Sequence, residues 1–148
     1  MRKFTFRLAT LLRLREAARD ERQTQLAEAF RIADSIQERI AELSLELDEL
    51  KRQQAALPGR IDVDRLVAAH RYEMVLRIEQ HQNEEQRTAV LAEIERRREA
   101  LTAANREVRT LEKLRETQQQ RHRFEEERQL MKELDEIAGR NHAREEVV

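Results

Sequence analysis

The side chains best suited to chemistry in this sequence are four histidines, His70, His81, His122 and His142, set among 30 acidic residues. On a helix, a Glu-x-x-His pair puts both ligands on one face and can supply half of a dinuclear metal site. No histidine here has a glutamate three residues before it, and no His-Glu-x-x-His string occurs, so neither that site nor a zinc hydrolase is encoded. Cysteine is absent, which removes thiolate ligands, thiol nucleophiles and a disulfide framework together. A phosphate-cradling loop needs clustered glycines, and the chain has two, Gly59 and Gly139, far apart. His81 reads as a polar residue tuning helix register rather than as a ligand. Arg96, Arg97 and Arg98, flanked by glutamates, read as a solvated face, and Tyr72, the only tyrosine, as a residue at a seam edge. Acids and histidines on thin helices stay solvated, without the concave apolar pocket that shifts pKa values. The sequence predicts no enzyme, no cofactor and no metal site.

The elements that carry these residues follow from composition. Of 148 residues, 40% are charged and 3% aromatic, and Ala, Glu, Leu, Arg and Gln dominate, the mixture of a long helix or coiled coil. Apolar residues are too few for a thick core, so burial is confined to a narrow seam between helices. Regular apolar spacing and 29 basic against 30 acidic residues argue against disorder. The same balance, with arginines alternating with glutamates, argues against nucleic acid or a membrane surface as the main partner. No apolar run approaches the ~20 residues that span a bilayer. The opening Met1–Arg13 stretch is interrupted by Arg7 and has no small-residue cleavage site, so it is not read as a signal peptide. The expectation is a soluble, cytoplasmic, all-helical protein.

The chain turns at Ala55-Ala-Leu-Pro-Gly-Arg60. Pro58, the only proline, cannot continue a helix and biases Leu57 away from helical geometry. Gly59 can take the left-handed conformation that ends a helix. Asp62 can cap a new helix, with Ile61 and Leu66 spaced as a hydrophobic staple. This predicts one coiled-coil domain over 1–148: a helix over about 5–56, a turn at 57–62, a helix over about 63–138, and a frayed tail at 139–148 after Gly139. In the first helix Leu26, Ala29, Ala33, Ile36, Ile40, Leu43, Leu47 and Leu50 alternate three and four apart, a heptad seam that requires a partner helix. The second helix is less regular: Leu66, Val67, Met74, Val75 and Ile78, then Leu91, Ile94, Leu101, Ala104, Val108, Leu111 and Leu114, with a polar middle around His81, Glu84, Glu85 and Arg87. A short turn makes the helices antiparallel neighbours, with Leu12 near Glu107 and Ile40 near Glu79.

At 1.5 Å per residue the arms measure ~78 and ~114 Å, so about 25 residues of the second helix, from Arg115 onward, should project past the first. That segment carries Phe124, Leu130, Met131, Leu134 and Ile137, mostly three or four apart. Such a stripe either packs on a second copy or anchors the helix in a groove or hole on a partner.

Two stretches resemble the FliJ family of the bacterial flagellar type III export apparatus. One is Phe4-Thr-Phe6-Arg-Leu8 continuing through Leu11, Leu12 and Leu14-Arg-Glu16. The other is Leu111-Glu-Lys-Leu-Arg-Glu116, continuing to Glu133-Leu-Asp-Glu-Ile-Ala138. The resemblance implies an antiparallel two-helix coiled coil, similar to the central stalk of rotary ATPases, whose joined-terminus end enters and stimulates the hexameric export ATPase FliI. It also implies contact with the export gate protein FlhA and handling of export chaperones, all at the inner face of the membrane through partners only. On this chain the ATPase-facing end would be Phe4, Phe6, Leu8, Leu11, Leu12, Leu130, Leu134, Asp135 and Ile137, and the gate-facing part Tyr72 and Leu76. The free chain is expected to be monomeric. The alternatives are a stalk of the same architecture in a virulence injectisome, or a structural dimeric coiled coil.

Overall fold

A computed structural model describes residues 2–56, 59–60 and 62–147. Among them all regular structure is helical, in two elements, α1 (Ala9–Ala55) and α2 (Val63–Glu146), paired as a two-helix hairpin. The chain's contacts fall into two compact units: a hairpin unit, Asp20–Thr102, and a terminal unit made of Met1–Arg19 with Ala103–Val148.

The hairpin unit follows the heptad logic closely on α1. All eight seam residues from Leu26 to Leu50 are buried or half-buried, as is Gln54 at the next position. Leu43 and Leu47 pack with Leu76 of α2 into the tightest cluster, at 0, 6 and 3% exposure. Burying each such side chain contributes roughly 1.5–3 kcal/mol. The helices run antiparallel: Arg39 pairs with Glu79, Tyr72 donates to Glu46, and Arg97 reaches the Gln25 carbonyl. These partners stay within a few residues of the pairing the turn predicts.

On α2 the seam is as expected at Ile94 and Leu101 and differs before them. The line facing α1 is Ala69, Glu73, Leu76, Gln80, Asn83, Arg87, Val90, Ile94, Arg97 and Leu101, alternately four and three apart, and all but Arg87 are withdrawn from solvent. Leu66, Val67, Met74, Val75, Ile78 and Leu91, expected on the seam, are 44–58% exposed. His81 is likewise off the seam, paired with Glu85 on its own helix. The reason is physical: several true seam positions are polar, so the apolar residues of the outer face gave the stronger periodic signal.

The turn is half visible. Gly59 has φ +103°, the left-handed region in which a residue without Cβ is unstrained. The Asp62 carboxylate accepts from the Asp64 N–H at 3.1 Å and its carbonyl from the Leu66 N–H at 3.0 Å, the expected cap. The acidic Asp64 in the first turn suits the positive end of the helix dipole. The roles assigned to Leu57, Pro58 and Ile61 lie outside the described residues.

The terminal unit departs from expectation at both chain ends. The first helix does not begin near Thr5; residues 2–6 are non-helical, and α1 is entered through a turn in which Ala9 N–H donates to the Phe6 carbonyl. Phe4 and Phe6 are half-buried while Lys3, Thr5 and Arg7 are exposed. That period of two belongs to extended backbone, not to a helix. Leu12 (3% exposed) and Val108 (1%) are the buried centre of the unit, and Arg15 pairs with Glu107 at 3.0 Å. At the other end Gly139 does not stop α2, which continues to Glu146. One interior glycine costs about 1 kcal/mol relative to alanine, too little to break a helix already propagating.

Candidate partner-binding site

Within the terminal unit, α2 offers two different surfaces. Up to His122 its packed side follows the line Ala104, Val108, Leu111, Arg115, Gln118 and His122, three and four apart. The non-helical N-terminal segment lies along the last of these. Phe4 sits edge-on to His122, with ring centroids 5.6 Å apart at 69°, and Arg2 and Lys3 join Phe4, Gln119 and Arg123 around a shallow groove. Covering therefore extends about two helical turns beyond the start expected at Arg115. Glu126 is the last half-buried residue of α2, and residues 127–147 are all exposed.

Past His122 burial leaves that line: Glu125 is exposed while Glu126 is half-buried, and the further positions at the same spacing, Gln129, Lys132 and Glu136, are polar and exposed. Leu130, Leu134 and Ile137 are spaced four and three and form one stripe, with Phe124 and Met131 on the adjoining stripe. They are 50–63% exposed. Glu127, Arg128, Lys132 and Asp135 surround Phe124 and Met131 and give the stripe a charged rim of both signs.

The residues expected at this end are brought together only in part. Phe4 and Phe6 are half-buried against their own unit, and Leu12 is in its interior; these three hold the N-terminal segment and α1 in place. Leu8 and Leu11 are partly open at 37 and 36%. Leu130, Leu134, Asp135 and Ile137 are open to solvent. Arg2 reaches the start of that stretch, lining a groove with Leu130 and Glu133. His122 was missed as an anchor for Phe4, although its spacing from Gln118 and Arg115 marks it as a packing position.

In the hairpin unit Tyr72 is half-exposed, its hydroxyl 3.3 Å from Glu46 Oε2, beside a groove lined by Leu45, Glu49 and Leu50. Leu76, expected to share a surface with Tyr72, is in the core and does not reach solvent. The exposed apolar residues on Tyr72's side are instead Leu45 of α1, in the same groove, and Val75, three residues on along α2, while Val67, Met74 and Ile78 lie on the far side of that helix.

Electrostatics in the hairpin unit are local. Hydrogen bonds from Arg77 hold the Glu73 carboxyl below the usual range, and those from Arg96 and Arg97 do the same for Glu93. Glu79 and Glu42 raise the Arg39 guanidinium further above its ordinary value. Among the described residues no group of three His, Cys, Asp or Glu is placed to hold a metal, and no helix is long and apolar enough to cross a membrane.

The family model described as Flagellar FliJ protein matches residues 4–146 of the chain. Neither a curated protein nor a solved structure matches it.

Proposed function

Because the chain belongs to the FliJ family, and is thereby a component of the flagellar protein export apparatus, we propose that it acts there as a stalk-like activator of the export ATPase. The end of α2 enters the central opening of the hexameric, FliI-like enzyme. One observation carries this reading: α2 is exposed throughout residues 127–146, and on that uncovered stretch Leu130, Leu134 and Ile137 form an apolar stripe. A helix that ended in water would gain nothing from that arrangement; a helix inserted in a surrounding partner is contacted on its outer face. The mixed-sign rim adds many weak, exchangeable contacts of about 0–1 kcal/mol each, suited to meeting several equivalent subunits in turn.

The same proposal gives the chain a contact with the FlhA-like export gate and a part in handling export chaperones, at the inner face of the membrane and through partners only. For the gate, Tyr72 with the exposed Val75 and, across the groove, Leu45 offers the surface that Leu76 cannot. The test of the ATPase reading is ATP hydrolysis by the purified export ATPase with and without this protein. Stimulation near one chain per six ATPase subunits is expected, and Leu130→Glu with Leu134→Glu should abolish it. Glutamate is a good helix former, so helicity should be kept; undiminished stimulation by that variant would remove the tip from the mechanism.

A further inference from the structure

The hairpin unit holds two layers with buried side chains, and the stretch between them is built differently from both. Toward the turn, Leu43, Leu47 and Leu76 form a buried cluster, and the Arg39–Glu79 ion pair at 2.8 Å and the Gln80–Ser44 hydrogen bond at 3.0 Å cross between helices beside it. Toward the other end, Ala29 (2% exposed) and Ile94 (4%) are buried. There the Arg97 guanidinium donates to the Gln25 carbonyl, and Arg98 stacks over Phe30 at 5.4 Å. Between these two layers lie residues 31–38 of α1 and 81–93 of α2. None of them is buried, and among the described residues no hydrogen bond or ion pair crosses between helices there.

The residue types explain the gap. Ala33 and Ile36 of α1 face a stretch where the α2 seam reads Asn83, Arg87 and Val90. Asn83 turns its amide back to the Glu79 carbonyl of its own helix at 2.8 Å instead of crossing. Arg87 is exposed. Ala33 is short, and Ile36 is only half-covered. Polar side chains at seam positions fix register at a cost in stability, and here two consecutive seam positions bring no cross-helix bond in return. Parted from one another, both segments keep only their intrahelical bonds, with no buried side chain of their own to hold them closed.

We propose that this stretch is a built-in joint: residues 31–38 and 81–93 part from one another locally while the layers on either side stay paired. Local opening of this kind occurs where buried apolar contacts are few and backbone hydrogen bonds are open to water. The joint makes the hairpin yield at a fixed place rather than along its whole length, and it does not depend on the identity of any partner.

Amide hydrogen exchange of the full chain, read by mass spectrometry, tests it. Peptides covering 31–38 and 81–93 should be at least tenfold less protected than those covering 43–50 and 94–101. Equal protection along the unit would overturn the proposal. Asn83→Leu with Arg87→Leu, which completes the seam, should raise protection at least tenfold in 31–38, on the helix that carries no substitution. If exchange in 31–38 does not change in that variant, the gap in the seam is not the cause and the joint is refuted. Ile36→Ala provides the opposite variant: it should lower protection in 81–93 while leaving 43–50 unchanged, and a uniform loss along the unit would equally count against a confined joint.

Discussion

At the scale of single residues, an apolar side chain in this protein does one of two jobs, and exposure separates them. Leu43 is fully buried in the cluster with Leu47 and Leu76, whereas Leu130 is half-exposed with no packed neighbour from the first helix. Truncating Leu43 to alanine removes transfer free energy and leaves a cavity, so Leu43→Ala should destabilise the fold by about 2–5 kcal/mol. Leu130→Ala leaves no cavity and should stay within about 0.5 kcal/mol of the parent. Thermal or urea unfolding followed by circular dichroism measures both. The pairing of a large loss at Leu43 with none at Leu130 separates residues that hold the hairpin from those free to meet a partner. Equal losses would mean that the outer stripe is buried within the chain itself.

At the scale of elements, the two glycines do opposite things, and only one of them was legible. Gly59 takes φ +103° at the turn, where the nearby proline and the Asp62 cap announce a helix boundary. Gly139 is an ordinary helical residue, and a Cβ added there would meet nothing within 4 Å. Gly59→Ala should therefore destabilise by roughly 1 kcal/mol or more, because alanine is strained at positive φ. Gly139→Ala should strengthen the end of α2 by up to about 1 kcal/mol. Hydrogen exchange over 139–146 shows the gain directly, since a gain confined to an end need not move the global transition. The same contrast marks how far sequence reaches. The α1 seam was readable because its positions are filled by Leu, Ile and Ala in unbroken register. On α2, Glu73, Gln80, Asn83 and Arg87 occupy the seam, so Met74, Val75 and Ile78 on the outer face carried the periodic signal and the packed face was read about one residue off. At the N-terminus, the alternation of Phe4 and Phe6 with polar neighbours is the mark of an extended segment, but it lasts too few residues to outweigh the helical stretch that follows. The candidate site was legible as a stripe, Leu130 to Ile137, while its separation from Leu12 and Leu76 depended on burial that no spacing rule supplies.

At the scale of the whole molecule, the question is whether the apolar surface left outside the seam is enough for the chain to pair with itself. Phe124, Leu130, Met131, Leu134 and Ile137 are each about half-exposed. With large side chains offering up to about 200 Å² apiece, five of them half-open present roughly 500 Å². A stable protein–protein interface buries about 800 Å² on each partner. Acidic and basic residues are nearly equal in number, 30 against 29. Net charge therefore neither drives copies apart nor draws them together, and area decides. Little more than half of such an interface is apolar, roughly 450 Å² a side, so the stripe sits at the lower edge of a stable pairing with nothing to spare, and sedimentation equilibrium at tens of micromolar should return the monomer mass of 17.7 kDa. A ring that surrounds the helix meets the stripe, the polar positions beside it and the charged rim at once, whereas a second copy would cover one side of the helix only. A stable dimer, lost on Leu134→Glu, would instead assign the stripe to a second copy, and the ATPase proposal would then need a different contact surface.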